Sequence, residues 1–277
     1  MPAAEREDPA ESGAASASES ASASGAAARG SAARTGGGVR ARARAQFMAD
    51  LLAVARERLA ADGPAGLSLR AVARELGVSS SAVYRYVDSR DALLTALIIE
   101  TYDEVGAVCE SAMTTALATD DDAGRAWLAV GHAFRRWALD HRSSFELIYG
   151  TPIPGYAAPR DTVAHASRLW AVIEHLLLTA GAAGTLDPAG PDFDATGLVA
   201  PEVMDFARAG AAAAGPGVAP PSERDVTRSV TLWVSLVGTV SAEVFGHLVG
   251  IAVDYERTFE ITLATAAAGV GLRVELD

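Results

Sequence analysis

The chain has 277 residues, half of them hydrophobic, and a formal net charge of −12. This length and composition allow one small and one larger helical domain with a sizeable core. The single cysteine, Cys109, excludes an intrachain disulfide.

Several kinds of site and segment are not expected. The first eleven residues are acidic and contain no apolar run, and no later segment is long and uninterrupted enough to span a bilayer. We therefore expect no signal peptide, no membrane contact and a cytoplasmic location. The histidines and carboxylates show no spacing typical of metal ligation or catalysis, so no cofactor, metal or catalytic residue is expected.

In chain order, the first element is a tail. Residues 1–40 consist mainly of Ala, Ser, Gly and Glu, which cannot bury enough apolar surface to offset the entropy of ordering. We expect this tail to be disordered. A helix should follow from about Arg42 to Ala61 and end at the turn beginning with Asp62.

Residues 67–90 have the pattern of two short helices joined by a tight turn. Ser68 is placed to cap the first helix and Ser79 the second. Gly77 lies where the chain must turn, a position that favours a left-handed backbone. The first helix has an apolar stripe at i, i+3, i+4 and i+7, formed by Leu69, Val72, Ala73 and Leu76.

The outer surface of this helix pair suits the major groove of DNA, because hydroxyls and guanidinium groups bond base edges or phosphates. The predicted DNA-binding residues are Ser68, Arg70, Ser79, Ser80, Ser81, Ala82, Tyr84, Arg85, Tyr86 and Arg90. We expect base contacts from Arg70, Ser80, Ser81, Ala82 and Arg85. A plain helical hairpin with a polar outer face is the alternative.

The distribution of charge favours DNA. From Arg34 to Asp91 there are ten arginines and six carboxylates, whereas the chain as a whole is strongly acidic. Positive charge concentrated in one region is typical of a phosphate-binding surface. The arginines up to Arg44 either contact DNA beside the groove or form a solvated arm, and both readings stay open.

The run from Phe47 to Leu97 resembles the N-terminal DNA-binding domain of the TetR family of transcriptional regulators. The residues that carry the resemblance are S-L-R-x-V-A-x-x-L-G-V-S, then A-V-Y-R-Y and D-S-R-D-A-L-L. Arg90 stands where the family often has Lys. The resemblance implies a helix-turn-helix domain at 41–92 and an all-helical domain at 93–277 that binds a small molecule and dimerises.

The helical pattern continues to the C-terminus, which predicts an all-α fold. Residues 181–221, rich in Gly, Ala, Pro and Asp, are expected to form a mobile insertion with a short helix near Pro201 to Ala209. The other expected helices run from Arg90 to about Ala118, Ala123 to Asp140, Arg142 to Tyr149, Pro159 to Thr179, Ser222 to Gly250 and Asp254 to Ala268.

The second half is also similar to the C-terminal domain of a TetR subgroup named for a Trp-His-Gly motif. The similar segments are SSFELIYGTPIPGYAAP and TLWVSLVGTVSAEVFGHLVG. Trp233 and Gly238 match the motif, while Val237 occupies the position of its histidine.

Two further sites are predicted in this domain. An effector pocket is expected among aromatic and histidine side chains, although ordinary core packing would give the same pattern. These residues are Trp127, His132, Phe134, Trp137, Phe145, Tyr149 and Trp170, with Tyr156 and His165 nearby in sequence. A dimer interface is expected on the helices 159–179 and 222–250, with burial inside the monomer as the alternative; its candidate residues are Trp233, Val237, Val240, Val244 and Leu248.

These features predict a transcriptional regulator, by default a repressor, that binds a palindromic operator on double-stranded DNA as a homodimer and is released by an unknown small-molecule effector. Two rival classes stay open. An all-α enzyme would need convergent acid, base or metal ligands, which the sequence does not display. A ligand-binding or interaction protein whose DNA-binding head has lost its function would keep the same fold.

Overall fold

The computed structural model describes residues 19–187, 190–215 and 218–276, and the side chains of all of these except 19–37 and 65. The described residues form helices joined by turns and loops, with no strand among them, which confirms the all-α prediction. The helices are α1 (Glu19–Gly66), α2 (Leu69–Glu75), α3 (Ser80–Tyr84), α4 (Arg90–Thr119), α5 (Ala123–Asp140), α6 (Arg142–Tyr149), α7 (Thr162–Ala166), α8 (Arg168–Ala182), α9 (Pro201–Ala214), α10 (Glu223–Val244) and α11 (Tyr255–Val270).

The chain divides into two compact units, Met1–Ala53 and Val54–Asp277. In the first unit, α1 begins at Glu19, well before the predicted start near Arg42. The backbone of residues 19–40 is therefore helical where the sequence predicts a disordered tail. Residues 1–18 of the predicted tail lie outside the described residues.

In the second unit, the last part of α1 leads into the helix pair. The regular helix is interrupted at Gly63, whose φ is 67° and ψ 176°, close to the predicted end at Ala61.

The hydrophobic core of the second unit lies between α4, α5, α6, α8, α10 and α11. Its largest fully buried side chains include Trp127, Phe134, Phe145 and Phe259. The indole N–H of Trp127 donates to the carbonyl of Leu263 at 3.3 Å, so the one polar atom of this side chain is paired inside the core.

Some helix boundaries differ from the predictions. The predicted helix Pro159 to Thr179 is two helices, α7 and α8, which meet at Ser167. The helix predicted to reach Gly250 ends at Val244, because Gly246 takes a φ of 75° and turns the chain.

The predicted insertion 181–221 contains α9, which is longer than the short helix expected there. Met204 and Ala207 of α9 are buried in a small cluster with Val226 of α10, and Trp170 of α8 packs against it. Residues 188–189 and 216–217 of the segment lie outside the described residues, and its mobility stays a prediction.

Two arginines join helices that are distant in sequence. Arg135 of α5 donates from Nε and Nη2 to the two carboxylate oxygens of Glu243 on α10, at 2.6 and 2.7 Å. Arg168 of α8 donates to Glu110 and Asp103 of α4. These paired hydrogen bonds have a planar geometry that Arg supplies and Lys does not.

We expect Arg135→Ala to lower the free energy of unfolding by about 2–3 kcal/mol, because it leaves the Glu243 carboxylate without its partner in a nearly buried site. The side chains of the pair are 16% and 10% exposed. Urea denaturation followed by circular dichroism measures the change. Arg208→Ala is the control: its pair with Asp205 is 56% and 77% exposed, so the loss should stay below about 0.5 kcal/mol. Equal losses in the two variants would contradict this assignment.

Candidate functional site

The helix pair α2 and α3 forms as its sequence predicts. The Ser68 hydroxyl accepts a hydrogen bond from the backbone N–H of Ala71 at 3.2 Å and caps α2. Leu69, Val72 and Ala73 of α2 are buried. The apolar stripe therefore faces the interior and leaves the opposite side of α2 exposed.

The turn between the two helices depends on Gly77. Its φ is 67°, in the left-handed region. The N–H of Gly77 donates to the carbonyl of Arg74 at 3.2 Å and the N–H of Val78 to that of Ala73 at 3.0 Å. These two bonds form a Schellman motif, which satisfies the last carbonyls of α2 and reverses the chain.

Ser79 caps α3 by accepting from the N–H of Ala82 at 3.3 Å, and its hydroxyl lies 3.0 Å from that of Ser81. Val83 and Val87 are buried. The regular part of α3 ends at Tyr84, and residues 85 and 86 form a turn. The N–H groups of Tyr86 and Val87 both donate to the carbonyl of Val83, so the turn continues the same surface.

The predicted DNA-binding residues divide by exposure. Six of them are exposed and four are half-buried. The exposed ones are Ser68, Arg70, Ser79, Ser81, Tyr84 and Arg85; the half-buried ones are Ser80, Ala82, Tyr86 and Arg90. All ten lie on the helix pair or among the residues that flank it.

The arginines around this surface fall into two groups. Arg70 of α2 and Arg85 after α3 are exposed and form no ion pair with any described residue, and the same holds for Arg74. The sequence-based prediction did not include Arg74, although its position in the last turn of α2 was a usable signal. Guanidinium groups that are not paired within the protein stay available for phosphates or bases.

The other arginines of this region are engaged in holding the domain together. Arg58 donates to Glu75 of α2 and to Asp62, both at 2.8 Å, and these bonds, the one to Glu75 foremost, raise its pKa. Arg56 pairs with Glu100 of α4 at 2.6 Å.

Arg90, one of the predicted DNA-binding residues, has an internal partner in the structure. Its Nη2 donates to the carbonyl of Pro64 at 2.7 Å, and its Nη1 lies 3.4 Å from Asp91. The side chain thereby ties the start of α4 to the end of α1. A positioning role for Arg90 follows from this geometry.

A separate feature of the second unit is a cavity of about 790 Å³ bounded by α4, the loop after α6, and α7 to α10. Its walls are mainly apolar, with Ile98, Ile153, Phe206, Trp170 and Trp233 among them. Polar atoms come from Tyr102, Tyr156, Thr162, Ser167 and Glu202. A cavity of this size and composition suits a small, largely apolar ligand.

Most of the predicted pocket residues lie elsewhere. Trp127, Phe134, Trp137 and Phe145 are buried in the core. Tyr149 packs against that core, and burial raises its pKa. Of the predicted set, Trp170 lines the cavity, and so does the neighbouring Tyr156. Aromatic side chains at helical spacing look alike in sequence whether they fill a core or line a cavity, which is why the pattern did not separate them.

The predicted histidines have carboxylate partners. His132 Nε2 lies 3.1 Å from Glu260, and His165 Nδ1 lies 2.8 Å from Asp103. His132, Glu260 and Glu256 place one potential metal-ligand atom each within 4.8 Å of one another. Glu260 also accepts from Arg257 at 3.0 Å, so two of the three groups have hydrogen-bond partners within the protein. Burial raises the pKa of the Cys109 thiol to about 12, so it stays protonated and a poor ligand.

The predicted dimer residues on and beyond α10 have different environments. Val240 is fully buried in the core, while Trp233, Val237, Val244 and Leu248 are half-buried. The apolar side chains that α10 leaves exposed are Val230, Val234 and, just after its end, Phe245. The dimer interface stays a prediction.

Comparison with known families decides the class of the chain. Residues 51–97 match the family described as bacterial regulatory proteins, tetR family, and residues 127–266 match the tetracyclin repressor-like C-terminal domain. The chain belongs to the TetR family. It is a helix-turn-helix transcriptional regulator, and the families it matches are DNA-binding regulators rather than enzymes.

The TetR-family relatives include the HTH-type transcriptional regulators Mb1846 of Mycobacterium bovis and Rv1816 of Mycobacterium tuberculosis. Each is 39% identical to this chain over 217 residues, which cover 76% of this chain and 86% of the relative. The similarity to the Trp-His-Gly subgroup stays a prediction, because these matches name the family and not that subgroup.

Solved structures agree on the fold. The regulatory protein SCO4313 is 32% identical, with a TM-score of 0.62 and coverage of 82% of this chain and 98% of that one. A protein of unknown function from Rhodococcus sp. RHA1 is 26% identical, with a TM-score of 0.57 and coverage of 80% and 93%. Across the described ranges, none of the helices combines the length and apolarity that crossing a bilayer requires.

We expect Gly77→Ala to destabilise the protein by about 1–2 kcal/mol, because a residue with a Cβ is strained at this positive φ. A Cβ built at Gly77 meets no atom within 4 Å, so the cost is conformational and not steric. Thermal unfolding measures it. Gly210→Ala, in α9 and equally unobstructed, should instead stabilise by about 0.5–1 kcal/mol. Destabilisation by both variants to the same degree would contradict the role assigned to the turn.

Proposed function

We propose that this TetR-family regulator is a cytoplasmic repressor that binds a palindromic operator as a homodimer and leaves it when a small molecule occupies its C-terminal domain. The observation that carries the proposal is the surface of the helix pair, where hydroxyls stand beside Arg70 and Arg85, which have no ion-pair partner among the described residues. Such a surface combines base recognition with phosphate contacts.

In this proposal α3 enters the major groove with Ser80, Ser81 and Ala82 towards the bases. Arg85 follows at the end of the helix and reaches a base edge, while Tyr84, which is 46% exposed, contacts the backbone of the DNA. Two copies related by twofold symmetry place their α3 helices roughly 34 Å apart, in successive major grooves. One short helix makes few base contacts, and the twofold symmetry doubles their number.

We expect Arg85→Ala to weaken binding to the operator by about 1–3 kcal/mol and to relax the sequence preference at the contacted base pair. Fluorescence anisotropy measures this, with duplexes tiled across the DNA upstream of the protein's own gene at several salt concentrations. Arg208→Ala, a surface arginine on α9, is the control and should bind like the wild type. Equal affinity of the wild type for every duplex would contradict operator recognition, whatever the effect of the variants.

The dimer interface is proposed on the exposed face of α10. Val230, Val234 and Phe245 are between 41% and 53% exposed. They are spaced at about one turn or multiples of it, so they share one side of the helix axis. The same row on a second copy of the protein can cover these apolar side chains, because a twofold interface is self-complementary.

We expect Val234→Arg to shift the protein from dimer to monomer, because it places two like charges against each other across the twofold axis. Analytical ultracentrifugation at micromolar concentration measures the shift, and operator affinity should fall with it. Leu198→Arg is the control, since Leu198 is 63% exposed and lies outside α10. A dimer that survives Val234→Arg would place the interface on another surface.

The effector site is proposed in the 790 Å³ cavity. Its walls suit a largely apolar molecule with a single hydrogen-bonding group. One wall is connected to the DNA-binding head: the hydroxyl of Tyr156 lies 2.9 Å from that of Thr95 on α4, and α4 begins at Arg90, immediately after the helix pair. A ligand that displaces Tyr156 therefore acts on the helix that positions the head. The shift in DNA affinity equals the difference between the ligand's affinities for the two conformations.

We expect Ala166→Phe, which places a ring in the cavity, to keep operator affinity and to abolish release by any ligand that releases the wild type. The measurement is operator anisotropy across a panel of apolar acids, alcohols and esters, with binding followed by the fluorescence of Trp170 and Trp233. The matched control is Ala129→Phe, on α5 and outside this cavity. A ligand that releases both variants alike acts at a different site.

A further inference from the structure

Glu174 is a buried carboxylate in the second unit that neither DNA binding nor the 790 Å³ cavity uses. It lies on α8, and the residue is only 6% exposed. Its Oε1 is buried and has no hydrogen-bond partner within the described part of the chain. Buried polar groups nearly always have a partner, so an unsatisfied one calls for a physical reason.

The carboxyl group of Glu174 faces α10. Ser229 and Asp225 of α10 lie close enough to act on its charge. The Ser229 hydroxyl accepts from the indole N–H of Trp170 at 2.9 Å and donates to the carbonyl of Val226 at 2.7 Å. The one proton of this hydroxyl goes to Val226, so it does not satisfy the oxygens of Glu174.

No cation of the described residues forms an ion pair with Glu174. Arg168, six residues earlier on α8, is held by Glu110 and Asp103 of α4. Arg228 of α10 has its guanidinium carbon 5.9 Å from the centre of the Phe193 ring. The carboxylates of Glu174 and Asp225 therefore leave an excess of negative charge between α8 and α10.

Beside Glu174 is a second cavity, of about 420 Å³. Glu174, Asp225 and Arg228 are its charged lining residues, and the apolar lining includes Leu177, Leu178, Leu186, Val218, Pro220 and Val270. Its volume lies in the range of small-molecule sites. An apolar enclosure with a buried carboxylate in its wall matches a molecule that is apolar over most of its surface and cationic at one end.

We propose that the 420 Å³ cavity binds a small monocationic amine, whose ammonium group pairs with the carboxylate of Glu174 and whose apolar body fills the space between α8, α10 and the segment 218–221. The ammonium supplies the hydrogen-bond donors that Oε1 lacks. The site is distinct from the proposed effector cavity, and it does not depend on the protein's being a repressor.

The test uses two probes that differ only in charge, 4-phenylbutylamine and 4-phenylbutan-1-ol, with the full-length protein. Saturation-transfer difference NMR titrations give their dissociation constants for the wild type, for Glu174→Gln and for Glu146→Gln. Glu146 is an exposed glutamate on α6 and serves as the matched control. Gln has the shape of Glu without its charge, so the cavity is retained.

At pH 7.5 we expect the wild type to bind the amine at least tenfold more tightly than the alcohol. Glu174→Gln should remove this preference, and Glu146→Gln should keep it. If the wild type binds the two probes with equal affinity, the proposal is wrong, whatever the variants bind. An amine preference that persists in Glu174→Gln would overturn it as well, because the charge recognised would belong to another carboxylate.

The pH dependence gives a second readout. Burial raises the pKa of Glu174 to about 6, with the nearby charge of Asp225 adding to the effect. The carboxyl group therefore takes up a proton as the pH falls through 6, while the amine stays charged. The affinity for the amine should fall about tenfold between pH 7.5 and pH 5, and that for the alcohol should stay constant. The titratable and charged groups lining the cavities that border Glu174 are Glu110, Arg168, His175, Asp225 and Arg228.

An amine affinity that is independent of pH over this range would overturn the proposal. Neither probe experiment involves DNA. A protein that does not prefer the amine can therefore still bind its operator, and a protein that does not bind an operator can still bind the amine.

Discussion

The structure of the second unit depends on one long helix, α4, which belongs both to the DNA-binding head and to the C-terminal core. Its 30 residues extend about 45 Å at 1.5 Å per residue. At its start, Arg90 and Glu100 bind the end of α1 through Pro64 and Arg56. Farther along, Asp103 and Glu110 hold Arg168 of α8. A packed helix transmits displacement instead of absorbing it, so in the proposed mechanism α4 is the element that carries a change at the cavity wall to the head.

The arginines show how an acidic protein keeps a surface for DNA. Arg56, Arg58 and Arg90 form bonds that join α1 to α4 and α2. Arg70 and Arg85 stay exposed and without an ion-pair partner among the described residues. The net charge of a stretch of sequence therefore overstates the charge on its surface, since part of it is neutralised inside the domain. In the proposed complex, the unpaired guanidinium groups of the helix pair attract the phosphates.

The C-terminal domain contains two cavities of different chemistry, both bordered by α8 and α10. One holds tyrosine and threonine hydroxyls among apolar walls, and the other holds a buried carboxylate. Trp170 and Ser229 connect them, because the indole that lines the first donates to the hydroxyl beside Glu174. If both proposed sites bind ligands, each ligand lies next to this pair of side chains.

The sequence by itself determined the elements whose structure is local. Ser68 and Ser79 as caps, Gly77 in the left-handed turn and the bounds of α4, α5 and α6 all follow from hydrogen bonds and periodicities within a few residues, and the structure confirms them. Only the tertiary structure decided what distant residues do together. Trp127 and Trp170 look equivalent in sequence, yet one fills the core and the other lines a cavity. Arg90 is a predicted DNA-binding residue, and only the structure shows that it also donates a hydrogen bond to Pro64, 26 positions away. Cavities and ion pairs arise between helices whose contact is set by the packing of the whole core, and no local pattern contains that information.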